Sequence, residues 1–139
     1  MGGYGSGKWA RSGTKRTVDS CRQIDVRRFQ RRGLLEAGTR FSWSWALEGK
    51  QVADIEVLVG EGQLTLEYRY RQGEDEWEDV VEDVALVWTS CNYGGRRAWL
   101  ICPGVKNDVP CRRRVAIIYL GGRYFLCRHC YELGYESQR

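Results

Sequence analysis

The chain has 139 residues, 42% of them hydrophobic, which suits one domain with a small appended module and excludes a wholly disordered polypeptide. No apolar run approaches the ~18 residues of a membrane span, and "MGGYGSGKWARSGTKRT" lacks the apolar stretch of a secretory signal, so a cytoplasmic protein without a membrane partner is expected. The net charge of +4 conceals basic ends and an acidic middle: ten basic against three acidic residues over 1–40, three against twelve over 41–90, and nine against three over 91–139.

Residues 1–16 read as a mobile arm, with Gly at 2, 3, 5, 7 and 13 broken by Tyr4, Trp9 and basic residues. The spacing Gly2-x4-Gly7-Lys8 imitates a phosphate loop, but Trp9 stands where a Ser or Thr must bind magnesium, and no strand precedes it. A nucleic-acid arm suits the segment better: Tyr4 and Trp9 can stack on bases while Lys8, Arg11, Lys15 and Arg16 meet phosphates. The plain alternative is that Trp9 packs on the domain.

"IDVRRFQRRGLL", residues 24–35, reads as a short helix with Asp25 as N-cap and Gly33 as its C′ stop. Val26 and Phe29 face inward, leaving Arg27, Arg28 and Arg31 outside, and Arg31 and Arg32 suit the negative end of the helix dipole.

From residue 39 the hydrophobic period becomes two. Phe41, Trp43, Trp45 and Leu47 share one face, as do Ile55, Val57 and Val59, and then Leu64, Leu66, Tyr68 and Tyr70. "EGK", "GEGQ" and "QGEDE" turn the chain between strands, and a last strand is expected over 84–90 with Val84, Leu86 and Trp88 on one side. Short Gly-containing turns make this an antiparallel meander. The expected fold is mainly β, a minor α+β variant, with the helix and meander over 17–90 and a separate module over 91–139.

That module holds Cys102 and Cys111, with eight residues between them, and Cys127 and Cys130, with two between them. In a reducing compartment such thiols are not primarily a disulfide framework. Zn2+ favours four thiolates in a tetrahedron, and a Cys-x-x-Cys turn aims two sulfurs at one point. "RRRVAIIYL", "GG" and "RYFLC" form a hairpin that returns the second knuckle beside the first, the element order of a zinc ribbon. "PGVKNDVP" contains both prolines and Asn-Asp, so a long loop within the first pair is reasonable. The competing reading is four free thiols on a small β unit. His129, inside the knuckle, points away from the metal as a surface group, or replaces Cys102 or Cys111 if the long loop fails to close. Cys21 and Cys91 have no partner close in sequence and default to core thiols.

Residues 97–135 resemble bacterial zinc-ribbon modules. The wider layout, "GGYGSGKW", an Arg-rich helix, a β layer and then "GGRRAWLICP…CRRRVAIIYLGGRYFLCRHCYELGYESQR", resembles a group of small bacterial four-cysteine zinc-ribbon proteins often carried by mobile genes. The resemblance implies Cys102, Cys111, Cys127 and Cys130 as ligands, long first loop included. It implies nucleic-acid binding or protein docking and no particular activity.

Arginine dominates the basic residues. Arg27, Arg28, Arg31 and Arg32 on the helix, with Arg96, Arg97, Arg112, Arg114 and Arg128 in the module, form the expected nucleic-acid surface, because Arg grips phosphates bidentately and stacks on bases. Alternatively these arginines pair internally with the acidic run Glu74, Asp75, Glu76, Glu78, Asp79, Glu82 and Asp83. That run reads as a solvated turn and edge strand guarded by like charge. It also serves as the site of the second hypothesis, an adaptor or inhibitor that engages a basic protein partner, even as a nucleic-acid mimic. A magnesium nuclease is the third. With one histidine no Ser-His-Asp or Cys-His constellation forms, and the leading expectation is a non-enzymatic nucleic-acid-binding protein.

Overall fold

A computed structural model describes residues 21–47 and 50–133, and its architecture is mainly β with one short helix. The expected arm over 1–16, with Lys8, Trp9, Arg11, Lys15 and Arg16, lies outside the described residues.

The chain enters as strand β1 (Arg22–Asp25) and passes directly into α1 (Val26–Arg31). Asp25 is the N-cap, its carboxylate accepting from the Arg27 amide at 3.0 Å. The helix is shorter than the 24–35 expected, because Ile24 and Asp25 pair with Ile118 and Ile117 of a later strand instead. Gly33 ends the helix as expected: at φ 69° it donates to Gln30 O, and Leu34 donates to Phe29 O, the two bonds of a Schellman cap.

Four long strands follow as an antiparallel meander: β2 (Arg40–Leu47), β3 (Lys50–Gly60), β4 (Gln63–Tyr70) and β5 (Glu78–Ser90). Then come β6 (Arg96–Ile101), β7 (Val105–Lys106), β8 (Val109–Pro110), β9 (Arg114–Val115), β10 (Ile117–Leu120) and β11 (Phe125–Leu126). One six-stranded sheet runs β9-β6-β5-β4-β3-β2, a three-stranded sheet runs β11-β10-β1, and β7 pairs with β8 alone.

Alternation fixes which face of the large sheet is covered. Trp43, Ile55, Val57, Val59, Leu64, Leu66, Tyr68, Val80, Val84, Leu86, Ala98 and Leu100 are all buried on one side. Onto this side α1 places Phe29, edge-on to Phe41 at 4.9 Å and to Trp43 at 4.8 Å. The small sheet places Phe125 there, edge-on to Tyr68 at 5.4 Å and stacked on Trp45 at 6.2 Å. The Trp45 indole N–H donates to Gln23 O at 3.0 Å, tying β2 to β1 across the two layers.

Cys91, expected as a core thiol, is exposed, and two expectations about the strands and the module need correction. The last meander strand begins at Glu78, not at residue 84, and it lies inside the sheet between β4 and β6. The carboxylates of 78–83 therefore guard no sheet edge. Val80 and Val84 carry the inward alternation through this stretch, and Glu82, the inward residue between them, is held by hydrogen bonds. Second, residues 91–139 are not separate in their hydrogen bonding. Strand β6 pairs with β5 from Ala85↔Ile101 to Ser90↔Arg96, so the meander continues into the cysteine-bearing region, and β10 pairs with β1.

Candidate metal centre and its basic edge

Cys102 follows β6 directly. Its amide donates to Arg113 O at 2.9 Å, extending the β6–β9 pairing of Ile101 with Arg114 by one more rung. Cys111 donates to Gly104 O at 2.8 Å, which closes the eight intervening residues into the β7–β8 hairpin. At its tip Asn107 and Asp108 take φ of 53° and 65°, the left-handed pair of a type I′ turn that Asn and Asp tolerate. The long first loop thus brings its two cysteines together at the base of a hairpin.

The second pair follows β11. Tyr131 donates to Cys127 O at 3.4 Å, Glu132 to His129 O at 3.2 Å and Leu133 to Arg128 O at 3.0 Å, so the backbone curls around the knuckle. The Sγ atoms of Cys102, Cys111, Cys127 and Cys130 all lie within 4.8 Å of one another. Cys102 to Cys130 and Cys111 to Cys127 are each 3.7 Å apart. Neither distance is a disulfide, and four sulfurs at ~2.3 Å from one ion stand ~3.8 Å from each other. The four cysteines are placed where they could hold a metal ion.

The surroundings favour thiolates at one position and resist them at others. Cys102 Sγ accepts from the amides of Cys127 at 3.2 Å and Gly104 at 3.4 Å. Burial nevertheless pushes the Cys102 thiol up to about 11, against those two bonds, and burial raises Cys130 as well. At Cys111 burial also acts upward, but the Arg113 amide and the neighbouring thiols outweigh it and hold that thiol below its ordinary value. A dication at the centre would supply the positive charge that lets all four ionise. Gly104 is a member of the site that spacing did not reveal: a Cβ on it would meet Cys130 Sγ at 2.8 Å and Cys102 Sγ at 3.4 Å. Its signal was the Gly of "CPG", two residues after Cys102.

His129 is exposed, and the sulfur cluster forms without it. The charge of Arg113 foremost, then slight burial and Arg128, holds its pKa below the usual imidazole value, so two cationic side chains act on the knuckle's outer surface.

The arginines fall into several environments. Arg27 forms an ion pair with Asp25 at 2.7 Å. Arg28 and Arg32 lie over the Trp43 ring at 5.1 and 5.0 Å, and Arg31 is exposed. Arg96 lies over Trp88 at 4.5 Å, while Arg97 and Arg114 converge on Trp99 at 4.0 and 4.9 Å. Arg112 is exposed beside Cys111, and Arg128 donates to Leu133 O at 3.1 Å. The helix and the β6–β9 edge are neighbours, since the Gln30 side chain donates to Arg96 O at 2.7 Å and accepts from Ala98 N at 3.0 Å. The Arg–Trp couples were not foreseen. Arg97 and Trp99 are two apart on one strand and share a face, but Arg114 reaches Trp99 only through the β6–β9 register.

The acidic run does not form one face. Glu74, Asp75 and Glu76 are exposed in the turn before β5, with Trp77 half exposed beside them. Glu78 pairs with Arg123 at 2.6 Å and Asp79 with Arg69 at 3.8 Å. Asp83 accepts from Thr65 at 2.6 Å. Glu82 points inward, where it accepts from the Tyr68 hydroxyl and from the Phe125 amide at 3.1 Å.

Compared with family models, curated proteins and solved structures, the chain matches none. Among the described residues no helix is long and apolar enough to cross a membrane.

Proposed function

We propose that the protein is a non-enzymatic nucleic-acid-binding module in which Cys102, Cys111, Cys127 and Cys130 hold one structural Zn2+ in a zinc-ribbon arrangement. Four sulfurs complete the tetrahedral shell that zinc prefers and leave no position for a substrate, which favours a structural ion over a catalytic one. The ion would supply no chemistry beyond clamping the two knuckles.

The observation that carries the nucleic-acid reading is the charge beside this centre. Arg112, Arg113 and Arg114 adjoin the cysteine cluster, Arg96 and Arg97 open the strand that leads to it, and none of the five has a carboxylate within 4.0 Å among the described residues. Guanidiniums that no internal carboxylate neutralises suit phosphates. Docking of a basic protein on residues 74–83 has less support. Glu78, Asp79, Glu82 and Asp83 already have partners within the fold, and of the run only the carboxylates of Glu74, Asp75 and Glu76 have none among the described residues.

The test is fluorescence anisotropy of the full chain with labelled DNA and RNA. Binding is expected at about 50 mM salt and should weaken about tenfold or more by about 200 mM. No binding to any DNA or RNA at low salt would overturn the reading.

A further inference from the structure

The β5–β6 hairpin runs from Trp88 through a turn to Trp99, and Tyr93 at that turn is fully exposed, at 102%. Arg97 sits opposite Thr89 and Trp99 opposite Val87, so both lie on the sheet face turned away from the core. The Trp99 indole N–H donates to Thr89 Oγ1 at 2.9 Å, which fixes the ring. Arg114 of β9 stands opposite Ile101 on the same face, and from there it reaches the ring that Arg97 also covers. Around the sheet edge, Arg96 is carried by Trp88.

We propose that this edge is a track for single-stranded nucleic acid. Its phosphates lie on Arg96, Arg97 and Arg114, and its unpaired bases stack on Tyr93 and on the guanidinium planes carried by Trp99. The inference rests on the nucleic-acid reading above and adds a face and a strand state to it.

Two physical arguments favour a single strand. Tyr93 offers a ring that no described residue covers, and such a ring stacks only on a base whose own face is free; in a duplex those faces are occupied. An arginine already held against an indole loses little further freedom when it grips a phosphate, and base stacking on a guanidinium plane again needs unpaired bases. Each guanidinium is held against the π-face of Trp88 or Trp99, which offsets their mutual repulsion.

The experiment compares the full, zinc-loaded chain on single- and double-stranded oligonucleotides of one sequence, by fluorescence anisotropy over a range of salt. The single strand should bind about tenfold more tightly than the duplex. Tyr93→Ala and Trp99→Leu should each weaken single-strand binding by about tenfold, the effect of losing one stacking platform. Trp99→Phe should recover most of that loss. The double change Arg97→Ala with Arg114→Ala should lower the salt slope by about 1.4, two phosphates at about 0.7 each. Tyr93 touches no core, so its variant reads binding alone; metal content and thermal midpoint check the others. Duplex bound as tightly as single strand would overturn the proposal while leaving the nucleic-acid reading intact. So would Tyr93→Ala and the double arginine variant behaving as wild type. No binding of either form removes the broader reading, and this one with it.

Discussion

Gly104 and Cys130 approach so closely that any side chain at position 104 would begin 2.8 Å from the Cys130 sulfur. The contact joins the two halves of the cysteine cluster, since Gly104 also accepts from the Cys111 amide and donates to Cys102 Sγ. Gly104→Ala must push either the hairpin base or the knuckle aside. Its metal affinity should fall at least about tenfold, the scale of losing a supporting group around a bound metal. Competition with a chromophoric chelator measures this, and unchanged affinity would show that the knuckle yields without cost.

Glu82 is a second consequence of how the layers meet. Burial raises its pKa above the usual carboxylate value, outweighing the bonds from Tyr68 and Phe125 that act the other way. A raised native value means that the folded state favours the protonated acid. This contribution is fully present below the unfolded value of about 4.3 and is lost as pH rises through the folded value. Glu82→Gln keeps an oxygen for both donors and has no charge to bury. It should match or exceed wild-type stability at pH 7 and lose the pH dependence that Glu82 contributes in that acidic window. Glu82→Leu leaves the Phe125 amide without its acceptor and should cost about 1–3 kcal/mol. Urea unfolding at pH 5 and pH 7 distinguishes these outcomes.

Asp25 behaves in the opposite sense. Burial acts to raise it, but hydrogen bonds from the Arg27 side chain and amide, with the charges of Arg27 and Arg31, outweigh that and depress it. Its contribution is therefore present above about pH 3.9 and is lost as pH falls through the depressed value. Asp25→Ala should cost about 1 kcal/mol and Asp25→Asn less, because Asn also caps. Thermal melts at pH 7 give the comparison.

Phe125 lies between the layers, wholly buried against Trp45 and Tyr68. Phe125→Ala should cost about 3–5 kcal/mol, as for other buried aromatic truncations, and should weaken metal retention because Cys127 follows two residues later. Denaturant unfolding with parallel metal analysis reads both. A loss of stability with metal retention unchanged would mean that the knuckle folds independently of the layer contact.

Much of this was legible in the sequence, and the misses have physical causes. Period-two alternation from Phe41 to Tyr70 identified the meander and its buried face, and Asp25 and Gly33 marked the helix ends, because those signals are local. Cys127 and Cys130 were legible through their Cys-x-x-Cys knuckle after a strand, and Cys102 and Cys111 through the turn-rich loop between them. The first strand was not, since Arg22–Asp25 becomes one only by pairing with Ile117–Leu120, nearly a hundred residues later. The start of β5 was hidden because Glu82 breaks the apolar alternation, and its acceptors' partners, Tyr68 and Phe125, come from other strands. Gly104 and the Trp99 couple also depend on register, which composition does not carry.

If the cluster holds a metal as proposed, stripping it should expose how far the cluster supports the fold. A strong chelator at neutral pH should lower the thermal midpoint, and reloading should release protons, since burial keeps Cys102 and Cys130 protonated without a cation. Metal affinity should accordingly rise with pH.

The most direct measurement is X-ray absorption at the zinc edge on the full chain, with metal content determined on the same sample. One zinc per chain, surrounded by four sulfurs at about 2.3 Å, is the expected result. A chain purified under reducing conditions that takes up no zinc, or binds it through nitrogen or oxygen in place of any of the four sulfurs, would contradict it.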